Sequence, residues 1–178
     1  MKPARPIPVS IEIDKLTNSI ENVMTGETFD TAVVSVSAAD LKTTTKKAGW
    51  LFNWREEARQ PGHQIFKLTT VDNPTIVQGL VGLEVSFDHV KMHLIENAPF
   101  NLGKHKAYVG VAGNLIAYVC KVAFETGHLG NVAFVAKTKL IEHYTTSVGA
   151  VHVGGRLMIL DTTAALILVK RYFQDFRP

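Results

Sequence analysis

The chain has 178 residues, of which 46% are hydrophobic and 20% charged, enough apolar material for one substantial core and too much for a disordered polypeptide. Its formal charge of +3 comes from 19 basic and 16 acidic residues. They form no dense basic block of the kind that tracks nucleic acid, and no partner of that kind is expected. The single cysteine, Cys120, excludes an intramolecular disulfide framework and fits a cytoplasmic location; neither a secretory leader nor a run of about 18 apolar residues is visible, so no membrane association is expected.

In chain order, residues 1–9 are rich in proline and read as a flexible tail, ahead of a single domain over 10–178. Ser10–Asp14 alternates as a short strand does, and Thr31–Ser37 reads as a second strand. Ser37 with Asp40 three residues on has the form of a capping box that opens a helix through about Lys47. Trp50–Arg59 reads as a further helical piece, stopped by Pro61-Gly62. Three antiparallel strands follow, over Gln64–Val71, Ile76–Ser86 and Val90–Asn97, separated by turns at Asp72-Asn73-Pro74 and Phe87-Asp88.

A loop over Pro99–Val109 delivers the chain to Gly110-Val111-Ala112-Gly113-Asn114, where a helix begins. Leu115, Ile116, Val119, Cys120, Val122 and Ala123 fall on its apolar stripe, and Gly127 stands where a left-handed cap belongs. Asn131–Ala136 is a short apolar strand and Thr138–Val148 a helix closed by Gly149. Val151–Val153 and Leu157–Leu160 make a hairpin across Gly154-Gly155, and Asp161 caps a last helix. The hairpin leaves an edge through which a second copy of the chain is a candidate partner.

The chemistry centres on Gly110 to Asn114. A turn of small residues at a helix start leaves backbone N–H groups unpaired and approachable, which is the physical basis of an anion site. Glu96 lies in phase with Val90, Met92 and Leu94 on an apolar strand face, where burial raises a carboxyl toward a useful base. His89 and His93, four apart on a strand, stand about 13 Å from one another, too far for one ion. His63, His105, His128 and His152 show no ligand spacing, and no metal site is expected.

Four stretches together resemble the GNAT acetyltransferases over roughly residues 63–155. His93 to Asn101 (HLIENAPFN) is similar to the family's fourth strand and following loop. Tyr108 to Leu115 (YVGVAGNL) resembles its pyrophosphate turn. Gly130 to Ala136 is similar to the fifth strand, and Leu140 to Ala150, with His143-Tyr144, to the helix after it. The resemblance implies an α/β fold with a mixed, mainly antiparallel splayed sheet and helices on both faces. It implies acetyl-CoA as co-substrate, with Ile95, Asn97, Tyr108, Val109, Gly110, Val111, Ala112, Gly113 and Asn114 around it. An amine of a small molecule or protein attacks the thioester directly, Glu96 is the candidate base, and Tyr144 is the candidate acid toward the thiolate. Ala107 stands where the family carries Gln or Arg, and Tyr144 precedes Gly149 by five residues instead of four. A non-catalytic acyl-CoA-binding or protein-interaction domain on the same fold therefore stays open as the alternative.

Overall fold

In the computed structural model, residues 5–17 and 19–178 are described. Residues 1–4 of the expected tail lie outside them. The strands are β1 (Ile20–Asn22), β2 (Thr28–Phe29), β3 (Thr31–Ser35), β4 (His63–Thr70), β5 (Gly79–Val85), β6 (Val90–Asn97), β7 (Tyr108–Val109), β8 (Val132–Val135), β9 (Val151–Gly154) and β10 (Leu157–Leu160). The helices are α1 (Ala38–Thr43), α2 (Trp54–Arg59), α3 (Val111–Glu125), α4 (Ile141–Val148) and α5 (Thr162–Tyr172). Seven strands form one sheet in the order β3-β4-β5-β6-β8-β10-β9, and β2-β1-β7 form a small second one.

Every pairing is antiparallel except that of β6 with β8, which holds only at Val90–Val132 and Lys91–Ala133. Beyond Lys91 the two strands part. A bulge in β6 accompanies the parting: Gly82 faces Leu94 but Leu83 faces Met92, so His93 is the extra residue. Because strand side chains alternate, the extra residue reverses the faces on either side of it. Val90 and Met92 join Ile95 in the large core beneath α3 and α5, whereas Leu94 packs with Trp50, Trp54 and Leu80 in a second core beneath α2. Glu96 shares that second face, so its expected phase with Val90 and Met92 is corrected by the bulge.

The local differences have local causes. The capping box forms as read, with Asp40 N donating to Ser37 Oγ at 3.1 Å and Ser37 N donating to Asp40 Oδ2 at 2.8 Å. The helix nevertheless ends at Thr43, not Lys47. Thr43 and Thr44 each turn a hydroxyl back onto the Asp40 carbonyl, and Thr45 caps a separate helical turn over Lys46–Ala48. Asn53 caps α2 by accepting from Glu56 N, so residues 50–53 are loop and not helix. Ser10–Asp14 is extended but forms no regular strand. Val9, read as tail, is 4% exposed and bridges Ala136 in parallel.

Candidate functional site

A gap opens between β6 and β8 beyond Lys91. Residues 9–17 run through it along the β8 side. Val9 N donates to the Val135 carbonyl at 2.7 Å and Lys137 N donates to the Val9 carbonyl at 2.8 Å. Tyr144 Oη donates to the Ile11 carbonyl at 2.5 Å, and Ile13 N donates to His143 Nε2 at 2.8 Å. The chain's own segment thus sits against β8 and α4 as an added extended strand would.

At the far end of the gap α3 begins. Gly110 adopts φ +93°, a conformation few side-chain-bearing residues tolerate, and its N–H donates to Asp14 Oδ1 at 3.2 Å. Lys106 Nζ lies 3.2 Å from Asp14 Oδ2, so the carboxylate is held by a backbone amide and a cation together. A Cβ at Gly110 would collide with Thr17 Oγ1, and one at Gly113 would meet Tyr172 Oη at 2.5 Å and Leu16 Cδ2 at 2.9 Å. Thr17 is anchored in turn by donating its N–H to Tyr172 Oη at 3.0 Å. At the start of α3 the Gly110 N–H is thus occupied by a side chain of this protein.

Between the segment and the end of β6 remains a cavity of about 250 Å³, lined by Ser10, Ile11 and Glu12 on one side and by Ile95, Glu96, Asn97, Leu51 and Phe52 on the other. Glu96 is 4% exposed. Its Oε2 accepts from Trp54 Nε1 at 2.8 Å and from Phe52 N at 3.4 Å, and its Oε1 accepts from Leu51 N. Three of the roughly four lone-pair positions of the carboxylate are therefore taken, one is left, and the loop 51–54 is fastened to β6. Asn97 is equally buried, and its Oδ1 has no hydrogen-bond partner among the described residues.

Tyr144 is fully buried, edge-on to Phe134 at 5.4 Å. Burial pushes its phenol well above the ordinary value, with the charge of Glu12 adding to the effect. Its neighbour His143 receives the N-terminal segment through Ile13 N. Tyr108 and Val109 pair with β1, Val111 and Ala112 are buried, and Gly113 is buried against Leu16 and Tyr172. Asn114 Nδ2 donates to Thr31 Oγ1 at 2.7 Å, tying α3 to β3.

Asn101, fully buried, organises the loop after β6. Its amide donates to the Gln78 carbonyl at 3.0 Å and to Gln78 Oε1 at 2.9 Å, and its Oδ1 accepts from Tyr108 N at 3.1 Å. Sequence reasoning missed the role of residues 9–17. The apolar positions Val9, Ile11 and Ile13 were the available signal, and they announce an extended segment without naming the groove it enters.

The chain matches no protein-family model and no curated protein. Solved structures do resemble it. A chimera of the Vibrio cholerae spermidine N-acetyltransferase SpeG and hSSAT superposes with a TM-score of 0.54 at 16% identity, covering 78% of this chain and 99% of that one. The structure of AtaTR bound with AcCoA gives 0.56 at 17% identity, covering 78% and 98%. The ribosomal-protein-S18-alanine N-acetyltransferase of Escherichia coli gives 0.50 at 15%, covering 72% and 90%. The architecture is the GNAT acetyltransferase fold: a mixed α/β structure whose seven-stranded, mostly antiparallel sheet splays between β6 and β8. Among the described residues no helix is long and apolar enough to cross a membrane.

Proposed function

We propose that the chain is an acetyl-CoA-dependent N-acetyltransferase that acts on an amine of a small molecule or protein. One observation carries this reading. A segment of this chain lies along β8 through backbone bonds at Val9, and Gly110 N at the start of α3 donates to the carboxylate of Asp14. A pantetheine arm with its pyrophosphate has the same sequence of groups: amides that pair with a strand edge, then negative charge for a helix N-terminus. The AcCoA-bound AtaTR structure, which shares the fold, supports the choice of co-substrate.

Bound acetyl-CoA would supply an activated acyl carbon. Of the expected site residues, Gly110 to Asn114 would hold its phosphates and Ile95 with Asn97 would line the arm. Tyr108 and Val109 lead the chain into the turn. The free acceptor on Asn97 suits an amide N–H, since a buried unpaired oxygen is costly until a donor fills it. Glu96 would take a proton from the amine on its remaining lone pair. Tyr144, whose raised proton affinity keeps it protonated, would release its bond to Ile11 and donate toward the leaving sulfur. Asp14 and pyrophosphate would compete for the Gly110 N–H, so residues 14–17 would leave the start of α3 when the co-substrate enters.

The occupied groove also favours a second reading, in which residues 9–17 are a permanent filling and the fold has lost its chemistry. A panel of polyamines and peptides with free N-termini, assayed by thiol release from acetyl-CoA, separates the two. Turnover with any acceptor supports the enzyme. Absence of both turnover and calorimetric acetyl-CoA binding supports the filled groove, and tight binding without turnover leaves an acyl-CoA-binding domain.

A further inference from the structure

On the α2 face of the sheet, outside the cavity, three adjacent strands bring together residues that the sequence leaves far apart. His63 opens β4, Glu84 lies on β5 and His93 is the bulge residue of β6, and one ligand atom from each falls within 4.8 Å of the others. The sequence reading expected no metal site, because His89 and His93 are too far apart along one strand and His63 shows no ligand spacing. The sheet instead sets His63 beside His93, their rings 4.0 Å apart and 13° from parallel. His93 thereby lies on the same face as Glu84, 2.8 Å from its Oε2.

The geometry of this cluster leaves a place for a cation. His63 Nδ1 lies 2.6 Å from Glu57 Oε1, and its Nε2 faces Glu84 Oε2 at 3.6 Å. His93 Nε2 reaches the same oxygen at 2.8 Å. Two carboxylates and two imidazoles are thus gathered, and among the described residues no lysine or arginine nitrogen lies within ion-pair distance of Glu57 or Glu84. A dication between the two Nε2 atoms and the Glu84 carboxylate would bond to all three.

We propose that His63 Nε2, His93 Nε2 and the Glu84 carboxylate bind one Zn²⁺, with Glu57 orienting His63 from behind through Nδ1–H. Two imidazoles and a carboxylate are a donor set that suits zinc, at bond lengths of about 2.0–2.2 Å. A carboxylate on the far nitrogen of a metal-binding histidine fixes the tautomer that coordination needs. Binding draws the three ligand atoms together and turns the two rings so that their lone pairs converge, a motion the broad χ2 of histidine allows. The side chains of Glu84 and His93 are 30% and 26% exposed, so the fourth position is open to water. The ion clips β4, β5 and β6 together at the bulge. This inference stands apart from the acetyltransferase reading and does not depend on it.

The test uses the full chain freed of metal by a chelator and titrated with ZnCl₂ by calorimetry, with Co²⁺ as an optical probe of coordination. The expected result is one equivalent of Zn²⁺ and a tetrahedral Co²⁺ spectrum. Glu57→Gln weakens binding by about 10–100-fold, and Glu84→Gln and His93→Asn weaken it further. His152→Ala, on the exposed hairpin, leaves it unchanged. Far-UV circular dichroism of the nearly isosteric Glu84→Gln establishes that the loss is of a ligand and not of the fold. Absence of Zn²⁺ binding by the wild-type chain overturns the proposal, as does binding that survives in folded Glu84→Gln and His93→Asn.

Discussion

Asp14→Ala tests whether the N-terminal segment and acetyl-CoA compete for the start of α3. The substitution removes a charge-assisted bond to Gly110 N and a partly shielded ion pair with Lys106. The first is worth about 1.5–3 kcal/mol. The second adds at most about 1 kcal/mol, since a quarter of the Lys106 side chain meets solvent. A net loss of about 2 kcal/mol lowers the melting temperature of a chain this size by about 4–8 °C. The same loss weakens the closed form against its rival, and each 1.4 kcal/mol changes an equilibrium tenfold. Where the closed form predominates, apparent acetyl-CoA affinity therefore rises by about 10–100-fold. Calorimetric titration and scanning calorimetry on wild type, Asp14→Ala and the exposed-turn control Asp72→Ala measure both effects. A lowered melting temperature with unchanged or weakened acetyl-CoA affinity refutes the competition, because it leaves Asp14 a structural cap only.

Tyr144→Phe should slow turnover at least about tenfold without weakening acetyl-CoA binding, since it removes a proton donor and also one tether of the competing segment; steady-state kinetics with calorimetry read the two effects separately. Asp40→Asn should destabilise the fold by about 1–2 kcal/mol at pH 7, judged by urea unfolding. Burial works against the Asp40 charge, but the Ser37 amide and the Lys67 ammonium 2.9 Å away outweigh it and hold the carboxyl below its ordinary value. The group's contribution is therefore present above about pH 4 and lost as pH falls through the lower native value, so the gap between variant and wild type should close in acid. Cys120, fully buried with its thiol pushed far up by burial, should resist alkylation in the native protein and react only on unfolding, as followed by mass spectrometry.

Much of the frame was legible because it rests on local chemistry. The Ser37–Asp40 capping box, the Asp161 cap, the left-handed Gly127 and the helix-closing Gly149 are short-range devices, and each occurs where the residues place it. The three central strands and the strand–turn–helix around Gly110 likewise follow from periodicity and small residues. What escaped the sequence was every feature made by strands or segments meeting from a distance. The face of Glu96 depended on one bulge residue, which alternation counted along a single strand cannot reveal. The His63–Glu84–His93 cluster exists only because three strands lie side by side. The anion at α3 turned out to be Asp14, 96 positions upstream of Gly110. The residues themselves determined that α3 would begin with an anion-seeking turn; which anion fills it was decided by the tertiary structure, because the segment that supplies Asp14 is placed by bonds to β8, α4 and α5 that lie far from it in the chain.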